Sequence, residues 1–205
     1  VHSHQYTILT VIARLVLNYK KIDYKTEWVE YPDLAPKLKA LCVIPSSSLS
    51  DQAQYTDIIS YSGIPPNDPK SPGYHTDYSS PTIRYADGTY MQDSWPIAHK
   101  LEEIYPSPSL HLDDPIVVQV RDQIDEIMSP IRGFFIPKVP VVLLNKSSAD
   151  YFFETRKKRF GMELAEVERT LATDEQWEKA RAPAEKTGQW LRKNGGPFFL
   201  GGTGE

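Results

Sequence analysis

Cysteine is nearly absent from this chain. Cys42 is the single one in 205 residues, so no internal disulfide and no Cys-x-x-Cys redox pair can form. A lone cysteine after a helix reads as structural. No apolar run is long enough to span a bilayer, and the N-terminus lacks the basic-then-apolar layout of a secretory leader. A reducing, cytoplasmic setting is the expectation. Positive charge is not in excess either. The formal net charge of -4 gives no reason to expect nucleic acid or an anionic membrane as a partner. Histidines are few and scattered: His2, His4, His75, His99 and His111. Only His2-x-His4 is close in sequence, and two ligands at a chain end make a poor cage, so no metal is expected. A phosphate-binding loop is missing too, since Gly201-Gly202-Thr203-Gly204 has no following Lys-Ser/Thr.

What is present is a chain with 40% hydrophobic residues, enough for one large domain or two small ones. Its most informative stretch is Ser79–Pro106. Two strand-like runs, Thr82–Tyr85 and Thr89–Gln92, flank Asp87-Gly88, a strong hairpin signal because both residues tolerate positive φ. A helix follows at once. Asp93 or Ser94 caps it, and Pro96 falls in the first turn, where a missing N–H costs nothing. Ile97, Leu101 and Ile104 mark its buried face, and Pro106 lies past its end.

Upstream, Ile8, Ile12 and Leu15, with Val11 and Val16 beside them, predict a helix from about Leu9 to Lys21. Lys20 and Lys21 would complement its dipole. Tyr24–Tyr31 alternates like a strand, and Pro32-Asp33-Leu34-Ala35-Pro36 opens a short helix ending near Leu41. Residues 42–62 form a serine-rich stretch without a clear period, longer than compact domains usually carry as a loop. Gly63–Ser80 is a loop rich in Pro, Gly, Asp and Ser. Downstream, Pro106-Ser107-Pro108-Ser109 reads as a linker. Asp114 caps a helix striped by Ile116, Val120, Ile124, Ile127 and Ile131. Gly133–Asn145, with two prolines, reads as a buried connection or short helix. Ser147 with Asp150 suggests a capping box for a helix over 148–171, broken at Gly161. Thr173 opens another, reaching about Asn194. The Arg156-Lys157-Lys158-Arg159 run reads as a solvated helix face.

Pro81, Ile83, Asp87, Gly88, Asp93, Ser94, Ile97, Ala98, Leu101, Glu102, Tyr105 and Pro106 follow the order and spacing at the end of the N-terminal domain of glutathione transferases, which the chain resembles. Arg14–Lys20 followed by Asp23–Asp33 resembles a fungal, etherase-like branch of that family. The resemblance implies an α/β plus all-α fold. Residues 1–106 would be a thioredoxin-like, glutathione-binding domain lacking its first strand, with 42–62 as an irregular insertion. Residues 107–205 would be an incomplete, all-helical C-terminal domain. Phe198-Phe199-Leu200-Gly201-Gly202 resembles the segment that leads into the family's central helix, of which only Thr203-Gly204-Glu205 would remain. Translated non-coding sequence is one expectation for the insertion.

The resemblance also implies a site. Glutathione would be the co-substrate, with Asp93 facing its ammonium group and Ser94 its γ-glutamyl carboxylate. Pro81 matches the family's cis-proline, and Ser80 would pair with the cysteinyl backbone. Family spacing from Arg14 places the catalytic hydroxyl at Thr7, with Ser3 and Tyr6 as nearby substitutes. The implied activity is conjugation of glutathione to small hydrophobic electrophiles, or cleavage of their ethers, with the electrophile between the two domains. Relatives dimerise, so a homodimer is among the implied partners. A second reading is a non-catalytic glutathione- or hydrophobic-ligand-binding protein. A third is an inactive, degenerate transferase.

Overall fold

A computed structural model describes residues 8–41, 64–70, 76–195 and 199, with the backbone alone at 8–10. Thr7 and the whole 42–62 stretch, Cys42 included, lie outside the described residues. The chain divides into two compact units, 1–110 and 111–205.

In the first unit, α1 (Ile8–Tyr19) packs on α3 (Ser94–Ile104); α2 (Tyr31–Ala40) lies between them in sequence. The helical period expected for α1 holds, but its phase does not. Ile12 and Leu15 are exposed, and the buried stripe is Ala13, Val16, Leu17 and Lys20. Those positions are three, four and seven residues apart, one helix face. A lysine completes an otherwise apolar stripe, which apolar spacing alone cannot reveal. On α3 the core residues are Ile97, Ala98 and Leu101, whereas Ile104 is exposed, against expectation.

The buried lysine explains how α1 and α3 stay in register. The Lys20 side chain has no exposed surface, and its ammonium is paired with Glu102 of α3. It also donates to the carbonyls of Tyr105 (2.5 Å) and Pro108 (3.0 Å). Ser109 Oγ and the Leu110 N–H donate to the other Glu102 oxygen at 2.8 and 3.0 Å. The segment after α3 is therefore tied down rather than loose. Burial pushes the Glu102 carboxyl up. The hydrogen bonds from Lys20, Ser109 and Leu110, with the Lys20 charge, outweigh it and hold the group below the ordinary glutamate value.

Tyr24–Tyr31 is not a strand. Its residues through Glu30 have no regular structure, and Tyr24, Thr26 and Trp28 are all exposed. An extended run becomes a strand only when it joins a ladder with a neighbouring strand, and among the described residues it is in no ladder. The sheet described here is the hairpin of β1 (Thr82–Arg84) and β2 (Tyr90–Gln92), antiparallel with Thr82 opposite Gln92 and Arg84 opposite Tyr90. The hairpin expected around Asp87-Gly88 is present. Tyr85 N–H bonds the Thr89 carbonyl at 2.8 Å, which makes a three-residue loop in which only Gly88 takes a positive φ, of 89°. Asp87 instead accepts from the backbone and hydroxyl of Thr89.

The second unit is helical among its described residues. Helix α4 (Pro115–Met128) starts at the Asp114 cap and packs on α9 (Asp174–Arg192), capped by Thr173. The buried face of α4 passes through Gln123, not Ile124, which is 51% exposed. Helix α5 (Arg132–Phe135), a single 3-10 turn (Ile136–Lys138) and α6 (Val139–Val142) bury Gly133, Pro137 and Pro140. Helix α7 (Lys146–Phe160) is capped by Asn145, which accepts from Ser148 N–H, two residues before the expected Ser147. It ends where Gly161 turns left-handed at φ 71°, before α8 (Leu164–Leu171).

Gly133 sits against the end of α8. A Cβ there would lie 2.5 Å from the Leu171 carbonyl carbon, with backbone as the obstacle. Gly133→Ala is expected to destabilise the protein by about 1–3 kcal/mol. Gly188→Ala in α9, where a Cβ meets only the flexible end of Arg192, should be neutral or stabilising by up to about 1 kcal/mol. Urea denaturation compares the two. The Lys20–Glu102 pair predicts an asymmetry. Glu102→Gln leaves a fully buried ammonium without its counter-charge and should cost about 3–5 kcal/mol. Lys20→Met leaves a half-buried carboxylate that keeps two donors and should cost about 1–3 kcal/mol. Because folded Glu102 titrates low, its contribution is complete above about pH 4.3 and fades as pH falls through the folded value. In Glu102→Gln that part of the acid slope should vanish from a stability–pH profile.

Candidate functional site

The end of β2 runs straight into the start of α3, and Asp93 is the corner. Its backbone takes φ 72° and ψ 135°, a positive φ that residues other than glycine rarely adopt. The corner is held on both sides. Asp93 N–H donates to the Pro81 carbonyl at 3.1 Å, and Asp93 C=O accepts the first helical bond from Ile97 at 3.2 Å. Its carboxylate accepts from Trp95 N–H at 3.4 Å, a long cap.

Four of the five site residues expected from the sequence therefore come together. Ser80 and Pro81 lead into β1, with a cis bond between them, and Asp93 and Ser94 form the tip of α3 next to Pro81. Asp93 and Ser80 are half-buried, Ser94 and Pro81 buried. The fifth, Thr7, is outside the described residues. Pro96 has no N–H and the Trp95 N–H is taken by the Asp93 cap, so Ser94 supplies the backbone donor of the first turn, where the helix end is partially positive. The corner thus offers the Ser94 N–H and hydroxyl for an anion beside a carboxylate for a cation. The His99 ring stands edge-on to Trp95, 5.0 Å between centroids, one turn along α3.

Two residues that sequence reasoning missed brace this corner. Gln92, buried at the end of β2, accepts from Ser79 N–H at 3.0 Å and donates to the Pro65 carbonyl at 2.9 Å. Asn67 donates through its side chain to Ser79 Oγ and to the Thr76 carbonyl, both at 3.0 Å, and through its N–H to the Asp77 carbonyl at 2.7 Å. Thr82 Oγ1 donates to the Ser79 carbonyl at 2.9 Å. No local pattern marks these residues. Polar side chains at a strand end and in a loop acquire such roles only through partners many positions away.

Other chemistry finds less support. No cluster of three metal-ligating side chains exists among the described residues, and none of the described helices is long and apolar enough to cross a membrane. Burial, with the negative charges of Asp87 and Glu103, pushes the Tyr85 hydroxyl up to about 12, so it stays a neutral phenol. In the basic run of α7, Arg156 stacks over Phe152, Lys157 pairs with Glu163 and Lys158 with Glu154.

The family model described as glutathione S-transferase, N-terminal domain, matches residues 10–104, and that described as glutathione S-transferase, C-terminal domain, matches residues 120–204. A glutathione S-transferase-like protein, ustS, of Aspergillus flavus is 30% identical over 158 residues, 75% of this chain and 50% of that protein. The chain thus spans half the length of that relative. Glutathione transferase GSTFuA2 of Phanerochaete chrysosporium has a similar structure, with TM-score 0.68 and 25% identity over 98% of this chain and 73% of that one. So does the glutathione S-transferase CsGST63524 of Ceriporiopsis subvermispora, solved in complex with glutathione, at TM-score 0.66 and 26% identity over 97% and 72%. These likenesses carry the expected fold, a thioredoxin-like half followed by an all-helical half. With both halves matched in order over most of its length, the chain belongs to the glutathione transferase family.

Proposed function

We propose that this protein binds glutathione at the tip of α3 and uses it as co-substrate against small hydrophobic electrophiles. The observation that carries the reading is the Asp93 corner, whose N–H bond to Pro81 sets the Ser80–Pro81 and Asp93–Ser94 pairs side by side. Glutathione's γ-glutamyl end is a zwitterion. Its carboxylate suits the Ser94 hydroxyl and N–H and the positive helix end. Its ammonium suits the Asp93 carboxylate. Its cysteinyl N–H and C=O suit the Ser80 backbone, in the manner of an added strand.

Thr7 precedes α1 in sequence by one residue, and we assign it the activating hydroxyl. Its O–H, with the partial positive charge at the start of α1, would hold the cysteinyl sulfur as thiolate. The thiolate attacks the electrophilic carbon, an S–C bond forms, and the leaving group departs with its electron pair. When the bond broken is an ether, the departing oxygen takes up a proton. Conjugation of apolar electrophiles is a detoxifying reaction, and a cytoplasmic setting would keep the thiol reduced.

The test is retention on glutathione-agarose alongside conjugation of a model aryl halide. Retention is expected, and Ser94→Ala should weaken glutathione by roughly tenfold or more, as for a hydrogen bond to a charged group. Asp93→Asn separates ligand charge from helix capping, because asparagine still caps and still tolerates positive φ. It should weaken glutathione while leaving the thermal midpoint within a few degrees. A folded wild-type protein that ignores the resin defeats the glutathione reading. Retention without turnover would instead support a binding protein.

A further inference from the structure

We infer that Gln92 is a positioning residue for the ligand cradle, acting through Ser79 and with Asn67 as its second brace. The inference rests on the reading of the Asp93 corner as the glutathione site and adds what sets that site's geometry.

Gln92 occupies an unusual junction. Its backbone belongs to β2, opposite Thr82, and precedes Asp93 directly. Its side chain is buried and leaves the ladder sideways to grip two loop segments at once. The amide oxygen accepts from Ser79 N–H and the amide nitrogen donates to the Pro65 carbonyl. A planar amide, with a carbonyl that accepts and an NH2 that donates, answers both groups from one position. The Ser79 side chain is held in turn by Asn67 Nδ2, and the Ser79 carbonyl by Thr82 Oγ1. The Ser79 N–H, hydroxyl oxygen and carbonyl are thereby all engaged. Ser80, the next residue, inherits its placement from that anchor.

The same residue thus sets both halves of the cradle. Through the chain it precedes Asp93, and through its amide it holds the residue before Ser80. A shift of Ser79 would displace the Ser80 backbone relative to the α3 tip, and misplacement on that scale erodes a bidentate backbone contact. Gln92 touches no ligand in this account. Its effect should be confined to the part of glutathione that meets Ser80.

That confinement supplies the test. Two probes are used: glutathione, and a depsipeptide analogue in which the cysteinyl N–H is replaced by an ester oxygen. Wild-type protein should bind the analogue roughly tenfold more weakly, as for one lost hydrogen bond. Gln92→Met, close in shape but unable to make either bond, should bind glutathione roughly tenfold more weakly than wild type. It should then lose less than about threefold further with the analogue, because the contact is already spoiled. Asn67→Ala, which releases the Ser79 hydroxyl without touching β2, should shift the two probes in the same pattern by a smaller factor. It also decides the matter if Gln92→Met does not fold. If either folded variant weakens both probes by the same factor, or neither probe, the positioning role is overturned. If wild-type protein binds no glutathione, the site assignment and this inference fall together.

Discussion

A fully buried ammonium is the constraint on which the rest of the first unit depends. Lys20 occupies a position on α1 that an aliphatic side chain would ordinarily fill, and its charge has no access to water. Such a charge is tolerable only when paired and hydrogen-bonded. Glu102 and the carbonyls of Tyr105 and Pro108 meet that demand together. They come from the last turns of α3 and from the segment that follows it. One side chain therefore ties the end of α1, the end of α3 and the start of the connection toward the second unit to a single point.

Helix α3 carries that constraint to the site. Its C-terminal half is anchored at Glu102, its middle is core through Ile97, Ala98 and Leu101, and its first turn bears Asp93 and Ser94. A helix held along its length presents its tip as a rigid element, which is what the proposed recognition of a small zwitterion requires. The remaining freedom lies on the hairpin side. There the Asp93–Pro81 backbone bond, the Gln92 amide and the Asn67 amide fasten the strand start to the helix start. Polar crosslinks do this better than packing alone, because a hydrogen bond fixes direction as well as distance.

Much of the local structure was legible because its causes are local. The Asp93 and Asp114 caps, the Gly161 stop, the Pro115 start and the Asp-Gly hairpin each follow from one residue's stereochemistry or one side-chain bond. Errors appeared where two local solutions compete. Asn145 and Ser147 are both competent caps, and only the placement of α7 against its neighbours selects the first.

Helical period, turn chemistry, capping and the family pattern around Pro81, Asp93 and Ser94 were determined by the sequence itself, since each rests on residues within a few positions of one another. The face that each helix buries was not. Lys20 replaces an apolar residue on α1, Gln123 is buried where Ile124 was expected, and Ile104 stays exposed. Tyr24–Tyr31 alternates as a strand does but joins no ladder among the described residues. These outcomes belonged to the tertiary structure, because burial, ladder pairing and charge pairing are properties of two segments meeting, and the free energy that decides them resides in the contact rather than in either segment.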